Sequence, residues 1–329
     1  DSALAQTYPR VEVVVVDDGS KDDTRELLAR YGDRIKALSK PNAGIAQARN
    51  SSFEMASGDY IAWMDHDDLC EPQRIEWQMA YMRSQPDLLL SSTDFSAFGN
   101  EGPIGDSYGA RYYEAIRNAP GGLRELFGEA GEITLPLFGG PPLAYGRPGT
   151  QPGSETFHTY RGRVFGTLAL GNFIHPPTII MKRELWERVG RFDPAIRIQC
   201  DFEWLLRASR LGPFGYLDAP LLRYRIAPTQ ASNWRNDLQS AADICEVVER
   251  VARWDPAYFA AHRRRLRRRQ ALWRVDAACT VVDADRQRAR QLVLQSMKDG
   301  YFGKQTLRAL AKAWLPLPIV DLLRDGKAD

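Results

Sequence analysis

The amino-acid sequence predicts an α/β protein in which a mostly parallel sheet, flanked by helices, is followed by a helical tail. Three observations predict it. Short apolar, β-branched runs alternate with helix-period stretches through residues 1–98. Two of those runs stop at acidic loops, Asp17-Asp18-Gly19-Ser20 and Asp65-His66-Asp67-Asp68, as strands of an open sheet do where they border a ligand crevice. Beyond Arg235, Pro and Gly become scarce and the apolar spacing turns helical. These changes divide the chain into residues 1–98, 99–234 and 235–329.

The elements follow in order. The run Val11-Glu-Val-Val-Val-Val16 has the profile of a buried parallel strand. A helix opens at Lys21-Asp-Asp-Thr24, with its acidic residues in the first turn, where the helix dipole favours them, and Leu27 and Leu28 facing inward. Ile35–Leu38 is a second strand, Pro41–Gly44 a turn, and Ile45–Ala56 a helix closed by Gly58-Asp59. Tyr60–Met64 is a third strand of the same parallel sheet. Residues 99–163, rich in Gly, Pro and Tyr, are too long for a simple connector and are expected to form a specificity loop or lid. Dense apolar patterning returns over residues 164–228, where Asp201 begins a segment with Trp204, Leu205 and Ala208 at helical spacing.

Composition narrows the functional classes. A hydrophobic fraction of 44% in 329 residues fills the cores of about two domains. The four cysteines show neither CxxC pairs nor close spacing, so neither a disulfide scaffold nor a zinc module is implied. The longest run without Asp, Glu, Lys or Arg, residues 164–181, contains Asn172, His175, Pro176 and Pro177, which a lipid-exposed spanning helix does not tolerate. A cytoplasmic location, with the option of peripheral attachment to the inner membrane face, is therefore expected. The formal net charge of +2 conceals a division: residues 235–329 hold 19 basic against 12 acidic residues, and residues 1–234 hold 25 against 30.

The acidic strand ends carry the chemistry. Five carboxylates at Asp17, Asp18, Asp65, Asp67 and Asp68 repel an anionic substrate unless a cation sits between them. Mg²⁺ or Mn²⁺ suits such a site, since each takes one or two carboxylates together with substrate phosphates. A metal-dependent nucleotide site is the implied function. Taken alone, the first cluster is better explained by a turn with a helix cap.

Three ordered segments then become familiar: Val13-Val-Val-Val-Asp-Asp-Gly-Ser20, Lys40-Pro-Asn-Ala-Gly-Ile-Ala-Gln-Ala-Arg-Asn50 and Gly58-Asp-Tyr-Ile-Ala-Trp-Met-Asp-His-Asp-Asp68. Together with Val189-Gly-Arg-Phe-Asp193 and Cys200-Asp-Phe-Glu-Trp-Leu-Leu-Arg207, they resemble, over roughly residues 1–230, the family 2 glycosyltransferases of GT-A fold. The resemblance implies a nucleotide-sugar-binding half at residues 1–98 and an acceptor-binding half at 99–234. It also implies a first strand and helix start that precede Ser2–Tyr8 in such proteins.

Residue by residue, the resemblance implies that Asp18 binds the nucleotide base, that Arg49 lies near the base or diphosphate, and that Asp65 and Asp67 form the Asp-X-Asp element, with Asp67 on the metal and Asp65 on ribose or metal. It implies that Asp201 is the general base of an inverting transfer, while Cys200 stands where a Glu or Gln is common. Glu203, His175 and Arg225 are weaker candidates for the sugar, acceptor or diphosphate pocket. The expected donor is a nucleotide sugar, UDP-linked, and the expected acceptor a hydroxyl of a glycan or lipid-linked glycan. A nucleotidyltransferase using the same acidic site, and a non-catalytic sugar-nucleotide-binding protein, are the alternatives.

The tail places six arginines in His262-Arg-Arg-Arg-Leu-Arg-Arg-Arg269, between Tyr258, Phe259, Leu266 and Trp273 at helical spacing. We read it as a basic helical face directed at an anionic lipid surface, in preference to a solvated face or a nucleic-acid contact, with the apolar segment 307–320 adding an interfacial end.

Overall fold

The computed structural model describes residues 1–136, 154–227 and 238–315. They fall into two compact units: Asp1–Ala195 with Cys200–Ala227, and Ile196–Gln199 with the described residues of Pro228–Asp329.

Among the described residues the first unit holds ten strands: β1 (Val14–Asp17), β2 (Lys36–Ser39), β3 (Tyr60–Ala62), β4 (Leu69–Cys70), β5 (Leu90–Gly99), β6 (Gly102–Gly105), β7 (Glu129–Pro136), β8 (Ser154–Gly162), β9 (Ile180–Lys182) and β10 (Phe214–Arg225). The helices expected after β1 and β2 are present at Thr24–Ala29 and Ile45–Met55. The fold is α/β, but its pairing corrects the expectation of one mostly parallel sheet. β1 and β2 pair in parallel as a separate two-stranded sheet, and β3 instead pairs antiparallel with β9. The main sheet runs β3-β9-β5-β10-β8-β7, with β4 on β10 and β6 on β5, and only β5 with β10 is parallel within it. Local apolar periods reveal that a strand exists; its partner is chosen by residues over a hundred positions away, which no local period encodes.

The Gly/Pro-rich stretch is a second correction. β7 and β8 form an antiparallel pair that extends the main sheet through β10. Leu135 and Phe157 enter a buried cluster with Trp77, Tyr81, Leu88, Leu217 and Leu221. Alternate side chains of β8 are buried, the period of a half-covered strand, which puts this part of the stretch in the core rather than in a lid. Residues 137–153 of the expected lid lie outside the described residues.

A second aromatic cluster supports the candidate site. Phe53, Trp63, Trp186, Phe192 and Trp204 meet at centroid separations of 5.1–6.1 Å, mostly edge-on or tilted. Such pairs contribute roughly 0.5–1.5 kcal/mol each beyond area burial. They join the helix Ile45–Met55, the residue following β3, the helix Arg183–Val189 and the helix Cys200–Ser209 into one rigid base.

The second unit carries helices Leu238–Trp254, Pro256–Val281, Arg286–Lys298 and Lys304–Trp314. Asp255 caps the second of these by accepting from Tyr258 N at 2.8 Å, ahead of Pro256, and Asp285 caps the third through Arg288 N at 2.8 Å. Buried alanines 241, 277, 278, 289, 309 and 313 pack with Val275, Leu292 and Val293, small residues that let helices approach closely. Among the described residues, no helix is long and apolar enough to cross a membrane.

Candidate functional site

Arg49 is the centre of the candidate site. Its Nη1 lies 3.5 Å from Asp201 Oδ2 and its Nη2 4.0 Å from Asp65 Oδ1. Nη1 also donates to Cys200 Sγ at 3.4 Å, and the guanidinium stands 4.7 Å over the Trp63 ring. Asn50, the next residue, faces the other way: its amide donates to Phe192 O at 3.0 Å and its carbonyl accepts from Phe192 N at 2.8 Å. The Arg-Asn pair thus places a charge in the site with one residue and ties its helix to the Val189–Asp193 segment with the other.

The structure brings Asp65 and Asp201 to one guanidinium from opposite ends of the first unit's sequence. Asp65 follows β3, whose end is fixed by Arg74. This fully buried cation donates to Trp63 O at 2.8 Å, Ile179 O at 3.2 Å and Cys70 Sγ at 3.0 Å. Asp201 stands in the first turn of Cys200–Ser209, where its Oδ1 accepts from Phe202 N at 2.7 Å, leaving Oδ2 toward Arg49. Burial raises the Asp65 carboxyl above its ordinary range against the pull of Arg49, and Asp201 and Asp67 add to the rise. Burial likewise pushes the Cys200 thiol up to about 11, which makes it an inert neighbour at neutral pH.

Arg225, the last residue of β10, clasps the acidic loop. Its Nε donates to Asp67 O at 3.0 Å and its backbone N to Asp68 Oδ1 at 3.0 Å, while its guanidinium covers Phe98 at 4.6 Å. Asp68 is 3% exposed, its Oδ2 is buried without a hydrogen-bond partner among the described residues, and burial pushes its carboxyl up to about 8.

Asp18 sits at a different strand end. Its carboxylate accepts from Gly44 N at 2.9 Å and Ala43 N at 3.1 Å and pairs with Lys40. It therefore shapes the turn that opens the helix carrying Arg49. Gly19 beside it has φ 85°, and a Cβ there would lie 2.7 Å from Asn42 N, so only glycine lets the two loops meet this closely.

Two weaker candidates are corrected. Glu203 is 0% exposed and accepts from Arg207 at 3.0, 3.1 and 2.9 Å, while Arg207 also donates to Val189 O and Arg191 O. Its carboxylate is internal and, through Arg207, pins the Val189–Asp193 segment rather than lining a pocket; i and i+4 on one helix bring the two together, with only the arginine reaching solvent. His175 is 5% exposed, stacked 4.0 Å from Phe95 and ringed by Tyr112, Tyr113 and Tyr224. Its Nδ1 lies 3.0 Å from Tyr113 Oη and its Nε2 has no hydrogen-bond partner among the described residues, so it lies in the interior rather than on an acceptor surface. Sequence reasoning missed Arg74 and Asn50; the Arg-Asn pair in the Lys40–Asn50 motif was the available signal for Asn50, and nothing local marked Arg74.

The donor set bears on a metal. Among the described residues, no group of three or more His, Cys, Asp and Glu side chains converges as a cage. One guanidinium faces both Asp65 and Asp201, Asp67 lies two residues on, and the orphaned Asp68 oxygen lies beside them. Asp65 and Asp67 are oxygen donors of the kind that a divalent ion takes one or two at a time, completing its shell with phosphate and water.

One arginine thus gathers a carboxylate that follows β3 and another in the first turn of a helix, beyond the carboxyl end of a strand, where α/β units bind their ligands. Residues 1–131 match the family described as glycosyl transferase family 2. An uncharacterized glycosyltransferase of Rickettsia typhi is 47% identical over 233 residues, covering 71% of this chain and 60% of that protein. Chondroitin synthase of Pasteurella multocida is 46% identical over 79 residues, 23% of this chain and 8% of the synthase. The chain thus spans less than two thirds of these curated relatives. Among solved structures, a mannosyltransferase from Pyrobaculum calidifontis, in complex with GDP-Man and Mn²⁺, is similar at 16% identity with a TM-score of 0.50, covering 98% of this chain and 80% of that one. The fold is accordingly that of the GT-A glycosyltransferases.

Proposed function

We propose that this chain carries the catalytic portion of an inverting, metal-dependent glycosyltransferase that moves a sugar from a nucleotide sugar, UDP-linked, to a hydroxyl of a glycan or lipid-linked glycan. The observation that carries this proposal is the placement of Asp65 and Asp201 on the same Arg49 guanidinium, at 4.0 and 3.5 Å. A donor-side carboxylate and a candidate base therefore share one small region.

Asp67 and Asp65 would hold a Mn²⁺ or Mg²⁺ ion, which supplies charge neutralisation for a departing nucleoside diphosphate. Asp201 Oδ2 takes the proton of the acceptor hydroxyl as that oxygen attacks the anomeric carbon and the bond to the diphosphate oxygen breaks. Arg49 orients that carboxylate through the contact of its Nη1 with Oδ2 at 3.5 Å. Asp18 orders the loop at the start of the Arg49 helix and is the group assigned to the base of the nucleotide. Arg225 holds the Asp67-Asp68 turn and is a weaker candidate for the diphosphate. The helical tail adds contact with a membrane.

Release of UDP from a panel of UDP-sugars, with and without Mn²⁺ and glycan acceptors, tests the proposal. Metal-dependent release that is abolished in Asp67→Ala and lost from the acceptor-dependent fraction in Asp201→Asn is expected. No release from any nucleotide sugar by the full-length protein, or unchanged release in both variants, sinks it.

A further inference from the structure

Among the described residues, some arginines of the helical unit are paired with acids and others are not. Arg267 pairs with Glu249, Arg274 with Asp299, and Arg250 and Arg253 with Glu246, so these acids are occupied inside the unit. Arg264, Arg265 and Arg268, all exposed, take part in no ion pair among the described residues. On the helix Pro256–Val281 they stand at i, i+1 and i+4, within about 100° of its circumference. Three like charges left unneutralised in a row repel one another, and neighbouring acids could have been paired with them as they were with Arg267.

That basic row ends against exposed aromatic and aliphatic groups. The Arg268 guanidinium lies 5.7 Å from the Tyr301 ring centroid. Phe302, the next residue, is 70% exposed, and Leu307 and Trp314 on the helix Lys304–Trp314 are 65% and 42% exposed. That helix buries Thr306, Ala309 and Ala313 and turns Leu307 and Trp314, seven residues apart, outward beside exposed Lys304 and Arg308. Phosphate-rich surfaces attract the arginines, but a nucleic-acid backbone offers nothing apolar to receive Phe302 and Leu307. A bilayer interface offers both at once, anionic headgroups above an acyl boundary.

We propose that Arg264, Arg265, Arg268, Phe302 and Leu307 form a docking surface for an anionic lipid membrane, with the arginines on headgroup phosphates and the apolar pair entering the interface. This deepens the membrane contact in the proposed function, and it stands independently of the catalytic residues. The helix bearing Trp314 lies along the interface rather than across it, as the lack of a spanning helix among the described residues requires.

Co-sedimentation of the full chain with vesicles tests it, comparing pure phosphatidylcholine with a mixture holding about 30% phosphatidylglycerol, at roughly 0.05 and 0.5 M salt. Binding only to the anionic vesicles, weakened at high salt, is expected. Arg264→Ser/Arg265→Ser/Arg268→Ser should lower the apparent affinity roughly 100-fold, and Phe302→Ser/Leu307→Ser roughly tenfold, with melting curves unchanged because these side chains are exposed. Absence of binding, equal binding by the variants, or a duplex DNA that binds more tightly than the vesicles overturns the proposal. None of these readouts uses a nucleotide sugar, so a failure here leaves the catalytic proposal standing, and the converse also holds.

Discussion

Replacing Arg49 by methionine removes the charge while keeping most of the volume, and its effect follows from three contacts. The Asp201 pair at 3.5 Å joins groups 16% and 21% exposed. In an effective dielectric near 20 its Coulomb attraction is about 4–5 kcal/mol, most of which desolvation offsets, leaving about 1.5 kcal/mol. The Asp65 pair is longer, at 4.0 Å, and its carboxylate is 38% exposed, so screening reduces it to about 0.5 kcal/mol. The guanidinium over Trp63 at 4.7 Å adds about 1 kcal/mol. Arg49→Met should therefore lower the unfolding free energy by about 3 kcal/mol, read from urea denaturation of the full chain. Arg49→Lys should recover about half, since an ammonium restores charge but cannot lie flat on the indole while reaching both acids. A double-mutant cycle with Asp201→Asn should return a coupling of about 1.5 kcal/mol. A loss below about 0.5 kcal/mol, or a coupling near zero, refutes the energetic link between Arg49 and the candidate base.

Three further outcomes are expected. Glu203→Gln leaves the Arg207 cation facing a neutral partner in the interior and should cost about 3 kcal/mol, seen as a lowered urea midpoint, whereas exposed Glu26→Gln should change it by less than about 0.5 kcal/mol. His175 is held neutral, burial lowering its pKa to about 3 from 6.5. Its unfolded form binds a proton first, so its contribution is complete above pH 6.5 and is lost as pH falls through the window down to about 3. The stability gap between wild type and His175→Phe should therefore shrink between pH 7.5 and pH 5, approximate limits for urea titrations, and a constant gap would contradict a neutral buried imidazole. At Gly162 an added Cβ would stand 1.6 Å from Phe127 O, a backbone atom that cannot step aside, so Gly162→Ala should cost about 3 kcal/mol in thermal or urea unfolding.

Much of the site was legible because its residues fall in short contiguous motifs. Asp65, Asp67 and Asp68 advertise themselves as carboxylates after an apolar run, and the Lys40–Asn50 segment carries its arginine at a fixed place in a helix. Glu203 and His175 misled for a shared reason: a polar residue in an apolar stretch signals either function or a satisfied interior group. The difference lies in which face of the element is buried, which the local sequence leaves undecided. For Glu203 the partner is Arg207, four residues on, and for His175 it is Tyr113, which lies 62 residues away. The Gly/Pro-rich stretch was read as a lid because its composition resembles loops, yet Leu135 and Phe157 bury themselves in the sheet's core cluster.

By itself the sequence determined the alternation of strands and helices between residues 11 and 64, where the acidic strand ends lie, and that a basic helical tail follows an acidic body. Those properties are local: they depend on side-chain period, turn residues and charge along a few consecutive positions. Only the tertiary structure decided that β3 pairs with β9 rather than with β1, and that one guanidinium faces both Asp65 and Asp201. It alone also decided which arginines of the tail are neutralised and which face outward. Each of these depends on groups brought together from distant positions, and their pairing energy exists only once the chain has closed the intervening loops.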